Sequence, residues 1–237
     1  RTLGLIQVTV SNHVITSSDW QVQVARDLFL LLLAHPEGLT KEQIGNIFWP
    51  DSTQSELKLR FKNTIYRLRH AAGKDAILFQ GDDRYLFNRE MDYEYDVEVF
   101  LKEIAQAEKA DTAEKKEAHL LNAVAAYKGD YLPGLDDDWV VIERERLFQM
   151  YMDALLMLAN SALDRKDYES SLAFCQKALQ EDSCFEDAHR IAMRVFAAQG
   201  NRALLVRQYE QCRQALLEEV DAQPSYQTQM LYKTLIQ

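Results

Sequence analysis

Hydrophobic periodicity changes character once along this chain, near Val97, and that change constrains the fold more than any other feature of the sequence. Before it, short alternating apolar runs bracket three segments of helical spacing. Leu3 to Val10 alternates as a half-buried strand does, Ser11-Asn12 is a turn signal, and His13 to Thr16 restarts a strand. Gln21 to His35 carries a broad apolar helical face built on Val24, Leu28, Leu31 and Leu32, and Pro36-Glu37-Gly38 ends it. Thr40 to Trp49 is a second, short helix. Thr40 and Gln43 have the spacing of a capping box, in which each side chain satisfies the other's orphan backbone N–H. Pro50-Asp51-Ser52 breaks that helix. A second box, Thr53 with Glu56, opens a third helix that runs to about Ala72, with Gly73 as its C-cap. Ile77-Leu78-Phe79 and Tyr85-Leu86-Phe87 then read as a hairpin with its tip at Gly81-Asp82-Asp83.

After Val97 there is no strand candidate. Helical spacing predicts Val97–Lys109, Ala113–Tyr127, Trp139–Arg165, Tyr168–Glu181, Phe185–Gln199, Ala203–Val220 and Ser225–Ile236. The boundary falls near Asp92–Asp96, giving expected domains at 1–94 and 95–237. The expected fold is mainly α: a winged helix-turn-helix with a small β sheet and three helices, then an all-α helical repeat domain. A shift of 34 residues maps Lys166 onto Gly200, Cys175 onto Tyr209 and Ala178 onto Cys212, and 34 is the tetratricopeptide period. Such repeats are helical hairpins that leave a concave surface suited to a peptide or another helix.

Charge is distributed unevenly. The net charge of −10 argues by itself against nucleic acid. Yet Gln54 to Lys74 holds Lys58, Arg60, Lys62, Arg67, Arg69 and Lys74 against one acid, Glu56. On a helical wheel, Leu57, Phe61, Ile65, Leu68 and Ala72 form one stripe that must face a core. Leu59, Lys62, Asn63, Tyr66, Arg67 and His70 lie opposite, with Lys58, Arg60 and Arg69 on the flanks. A helix anchored on one side that presents cations, amides and aromatics on the other suits the major groove. Arg and Asn can contact base edges, while Lys, Arg and Tyr can grip phosphates. A charge run is often no more than a solvated face. The short capped helix before this one and the hairpin after it favour the recognition-helix reading.

Other signals weigh little. Asp136-Asp137-Asp138 precedes a helix and fits capping and dipole complementarity better than a metal site. Ser55 and Lys58 match a hydrolase motif by spelling but have no partner motif. The five histidines (His13, His35, His70, His119, His189) lack zinc spacing, and there is no Gly-rich phosphate loop. Neither a catalytic constellation nor a cofactor or metal is expected. Three cysteines with no metal-ligand spacing suit a reducing, cytoplasmic setting. The longest apolar run, Leu28 to Ala34, is too short to cross a bilayer, and no signal peptide is visible. Arg1 in place of Met suggests numbering that begins inside a longer protein.

Thr64-Ile65-Tyr66-Arg67-Leu68-Arg69-His70-Ala71-Ala72 resembles the recognition-helix end of the OmpR-type winged helix, and Leu39 to Ile44 with Phe48-Trp49 is similar to that family's second helix. The resemblance puts Arg67 and Arg69 at the motif's two arginines and Lys62, Asn63 and Tyr66 at positions that approach bases or phosphates; the helical wheel adds Lys58 and His70 to the expected DNA-binding set. The resemblance places Arg84 and Tyr85 at the wing. Asp82 and Asp83 depart from the family's Gly or basic wing tip, and two acids there oppose deep minor-groove insertion.

Ala126 to Leu135, then Asp138-Trp139 and Glu143 to Leu147, closely resemble the signature of the bacterial transcriptional activation domain (BTAD, of SARP-type regulators), which follows an OmpR-type winged helix. The resemblance implies an activator that binds double-stranded DNA at directly repeated promoter elements as side-by-side protomers and recruits RNA polymerase. It makes Trp139 and Arg144 candidates for partner binding. The residues themselves are better suited to packing of Trp139 on Tyr131 and Leu135, with Glu143 and Arg144 in local ion pairs. The competing readings are a protein-interaction scaffold, and an effector fragment of a larger signalling protein with a receiver or ATPase module.

Overall fold

The computed structural model of residues 1–237 resolves into two units, Gln7–Glu94 and a second formed by Arg1–Ile6 together with Tyr95–Gln237. The first unit opens with a tiny hairpin, β1 (Thr9–Val10) against β2 (His13–Val14). Ser11 and Asn12 both take positive φ at its turn (48° and 64°), the conformation that matches strand twist in a two-residue loop. A four-residue helix, α1 (Ser17–Trp20), follows, opened by a Thr16–Asp19 capping box absent from the sequence-based expectations.

Helix α2 (Gln23–Ala34) is the core of this unit. Every residue from Leu28 to Leu33 is buried, at roughly 2 kcal/mol of transfer free energy for each large apolar side chain. Helix α3 (Lys41–Phe48) and helix α4 (Gln54–Ala72) start at the two predicted boxes: Gln43 N donates to Thr40 Oγ1 and Glu56 N to Thr53 Oγ1. Gly45 lets the two helices approach closely, because a Cβ there would stand 2.6 Å from Leu57 Cδ1. Helix α4 buries Phe61, Thr64, Ile65, Leu68 and Ala72, and packs on α2. The sheet is antiparallel, in the order β3 (Leu39–Thr40), β5 (Arg84–Phe87), β4 (Ile77–Phe79). Its register pairs Leu39 with Tyr85 and Ile77 with Phe87.

The second unit contains seven helices: α5 (Asp96–Lys109), α6 (Ala113–Ala126), α7 (Asp138–Asp164), α8 (Tyr168–Glu181), α9 (Glu186–Ala198), α10 (Arg202–Val220) and α11 (Tyr226–Leu235). From α5 to α10 each packs on the next, and α11 packs on α9. None is long and apolar enough to cross a membrane. The 34-residue period has a structural counterpart in the two loops it relates. Lys166 and Gly200 both adopt left-handed φ, 62° and 70°. One residue on, Asp167 N donates to Ala162 O and Asn201 N to Phe196 O, each at 2.8 Å. Asp167 and Asn201 then cap α8 and α10 through their side chains.

The N-terminal segment departs from expectation. Leu3 to Val10 reads as one strand of the first domain, yet residues 1–6 belong to the second unit. Gly4 sits at φ 85°, outside any strand conformation, and a Cβ there would stand 2.6 Å from Lys128 O. The Asp96 carboxylate accepts from Thr2 N (2.7 Å) and Leu3 N (2.9 Å), and Leu3 forms an isolated bridge with Tyr131. Buried to 1% exposure, Leu3 is a core residue of the helical unit. The acidic run before α7 also departs in detail. Asp137 is the N-cap residue, but its side chain accepts no capping hydrogen bond; Asp138 lies in the first turn, where a negative charge complements the helix dipole.

Candidate nucleic-acid interface

Helix α4 carries its charges on the side away from its core. Phe61, Ile65 and Leu68 fix the inner stripe, while Lys58, Arg60, Lys62, Asn63, Tyr66 and His70 are exposed and Arg67 is half-buried. The side chains of Lys58, Lys62, Asn63 and Arg67 make no hydrogen bond or ion pair within the chain. Tyr66 stacks on His70 with 6.5 Å between ring centroids and a 10° tilt, so the two rings stiffen one edge of the face. No carboxylate lies between Glu56 and Asp75 to neutralise these cations.

Two of the predicted contact residues are engaged internally. Arg69 Nη2 donates to Ile77 O at 2.9 Å and ties the end of α4 to strand β4. Arg84 Nη1 donates to Gly38 O at 2.9 Å, and its Nε lies 3.1 Å from Asp82 Oδ2. Both guanidiniums therefore brace the hairpin against its neighbours, leaving a smaller free set of Lys58, Lys62, Asn63, Tyr66, Arg67 and His70. Asp82 holds Arg84 at the tip, so the acid that departs from the family pattern also absorbs the wing's cation.

Between α4 and the hairpin runs an open cleft of about 1090 Å³. Lys41, Lys58, Lys62, Arg69, His70 and Lys74 line it together with Phe61, Tyr66 and Tyr85, and no acidic residue does. Lys41 enters from the first turn of α3 and Lys74 from just beyond α4; the sequence analysis did not single out Lys41. The aromatic chain Phe61–Tyr85–Phe79, with centroids 4.7 and 4.8 Å apart, leads outward from the core along the hairpin. A cation-lined trough of this size can hold a polyanion, because every ionised group facing it has the same sign.

The partner-binding candidates in the helical unit face a different task. Arg144 Nε donates to Tyr131 O (2.8 Å), and its Nη2 donates to Leu132 O (2.9 Å) and Leu135 O (2.6 Å). It thus fastens the loop before α7, where Leu132 and Gly134 take positive φ. Glu143 pairs with Arg146, and Arg144 Nη1 lies 3.8 Å from Asp136 Oδ1, so each sits in a local ion pair. Trp139 is half-buried in the first turn of α7. Cys175 and Cys212 are buried, and burial pushes both thiols up to about 12, which keeps them protonated at neutral pH. No group of His, Cys, Asp and Glu side chains is placed to hold a metal ion.

A family model described as the bacterial transcriptional activator domain matches residues 95–236, more than half of the chain. No curated protein matches it in sequence. Among solved structures it is similar to Mycobacterium tuberculosis EmbR in complex with a low-affinity phosphopeptide, at 15% identity and a TM-score of 0.79. That match covers 99% of this chain and 64% of the EmbR chain, so the likeness spans both units and is one of fold. The chain belongs to the bacterial transcriptional activator domain family.

Proposed function

We propose that this chain is a sequence-specific regulator of transcription that binds double-stranded DNA through its first unit and protein through its second. Helix α4 enters the major groove, and the cleft beside it holds one phosphate backbone. The observation that carries this reading is the trough lined by Lys41, Lys58, Lys62, Arg69, His70 and Lys74 without one carboxylate, in a chain of net charge −10. Such a local reversal of sign supports a polyanionic partner. The acidic helical unit repels DNA and suits a protein partner, for which RNA polymerase is the proposed candidate. Side-by-side copies of the chain on repeated promoter elements complete the reading, and the setting is the cytoplasm. The reading assigns the chain no catalytic step.

Fluorescence polarisation on duplexes selected from a random pool tests it. About six cations meeting phosphates predict that log affinity falls against log salt with a slope near −5. A flat salt dependence, or equal binding to every duplex, overturns it.

The protein-contacting role rests on a second cleft, of about 580 Å³, between α8, α9 and α10. Gln176, Gln180, Gln208, Gln211 and His189 line it, with no charged side chain. Amides both donate and accept, as a peptide backbone does, so this groove fits a peptide segment whose side chains are uncharged. Isothermal titration with such peptides of the polymerase subunits checks that role, and heat signals unchanged by Gln208→Ala and Gln211→Ala contradict it.

A further inference from the structure

Helix α4 has its least polar outward-facing residue at the point farthest from its core. At about 100° per residue, Leu59 lies diametrically opposite Leu68 and Phe61, and it is 61% exposed. Tyr66 (70% exposed) and His70 fall within roughly 20° of the same line, and Asn63 about 40° to one side. The cations do not share this ridge. Lys62, Arg69 and Lys58 lie roughly 60–100° to one side of it, and Arg67 and Arg60 roughly 80–100° to the other. The outer half of the helix therefore has a crest free of Lys and Arg between two cationic shoulders.

That cross-section matches the major groove. A helix about 10–12 Å across fills a groove about 12 Å wide. Its shoulders then meet the two phosphate backbones while its crest meets base edges. Phosphate attraction explains the shoulders, but it gives Leu59 nothing to do. The one apolar group that a base pair presents in the major groove is the C5 methyl of thymine.

We infer that Leu59 is a specificity-determining residue that packs against a thymine C5 methyl in the major groove. The inference rests on the DNA-binding reading of α4 and goes beyond it by assigning a base. Asn63, one turn further along the crest, stands roughly 6 Å away along the helix axis and carries the amide that pairs in bidentate fashion with adenine. The preferred element accordingly contains a thymine, with an adenine within about two base steps. Shape and charge alone would not require either.

The test uses the whole chain and a duplex selected from a random pool. Each thymine is replaced in turn by deoxyuridine, which removes only the methyl. At one thymine per bound copy, affinity should drop about fourfold, the value of burying one methyl-sized group. In Leu59→Ala, which removes an exposed side chain and favours the helix, that thymine–uracil difference should vanish. Tight, salt-dependent binding with no thymine sensitive to the exchange overturns the Leu59 assignment and leaves the DNA reading standing. The same follows if the sensitivity persists in Leu59→Ala. Absence of salt-dependent duplex binding overturns the DNA reading itself, and this assignment with it.

Discussion

Helices α4 and α7 each carry two arginines spaced by one residue, Arg67 and Arg69 in the first, Arg144 and Arg146 in the second. In α7 both are consumed by their surroundings: Arg144 by three loop carbonyls, Arg146 by Glu143 one turn earlier. In α4 only Arg69 finds an acceptor, Ile77 O, and Arg67 finds none. The spelling is the same, and the neighbours decide the role. Helix α7 has Glu143 and Glu145 beside its arginines and a loop whose buried carbonyls need donors. No acid stands within a turn of Arg67. A cation with internal partners holds the fold together, whereas a cation without one is available to a ligand.

Substitution can break that contrast at several strengths. The largest effect is expected from Lys58→Ala, Lys62→Ala and Arg67→Ala together. Duplex affinity should fall on the order of a hundredfold or more near 0.1 M salt, with a salt slope shallower by about 3. The melting temperature should barely move, because none of the three has an internal partner. Arg144→Met should do the reverse. It orphans the carbonyls of Tyr131 and Leu135, leaves Leu132 O with only the Leu135 N–H, and should lower stability by about 3 kcal/mol in urea titrations. Arg144→Lys should rescue only part of this loss, since an ammonium lacks the planar fork.

Smaller effects sharpen the comparison within the helical unit. Gly200→Ala should cost about 1 kcal/mol, because it places a Cβ at a left-handed φ. Lys166→Gly, at the equivalent turn 34 residues earlier, should gain up to about 1 kcal/mol for the same reason. Thermal melts of the two variants should move in opposite directions.

The mildest effect concerns His189. Burial holds its imidazole below the usual range, against the opposing pull of Ser183 O, Glu186 and Asp182. Its Nε2 faces Ser183 O at 3.0 Å, and Gln208 Nε2 approaches Nδ1 at 2.7 Å, an arrangement that suits the neutral ring. The folded state therefore binds fewer protons than the unfolded state as pH falls below about 6.5. This contribution should be intact at pH 7.5 and be lost on acidification. His189→Gln should flatten the pH dependence of stability between pH 7 and 5, measured by urea titration.

Much of the architecture was legible in the sequence because its signals are local. The Thr40–Gln43 and Thr53–Glu56 boxes mark helix starts within a four-residue window. The stripe Phe61–Ile65–Leu68–Ala72 fixes which face of α4 is inward. The 34-residue register located two loops whose equivalent backbone hydrogen bonds, from Lys166 and Gly200 and from Asp167 and Asn201, have matching lengths of 2.9 and 2.8 Å. What escaped depends on partners far away in sequence. Leu3 alternates with its neighbours as a strand would, but its place is set by Asp96, 93 residues on. Strand β3 has only two residues and exists because β5 pairs with it. Arg69 and Arg84 look like free cations until the carbonyls of Ile77 and Gly38 are brought to them. Lys41 carries no signal of its own and joins the cleft only because the first turn of α3 borders it.

The central claim is that α4 and the cleft beside it form the DNA-contacting surface. Amide NMR of the isotope-labelled chain, titrated with its selected duplex, addresses that directly. The account predicts perturbations concentrated at Lys58–His70, with Lys41, Lys74 and Tyr85, and little change along α5–α11. Perturbations centred on the helical unit, with Lys62, Asn63 and Arg67 unmoved at saturation, would contradict it.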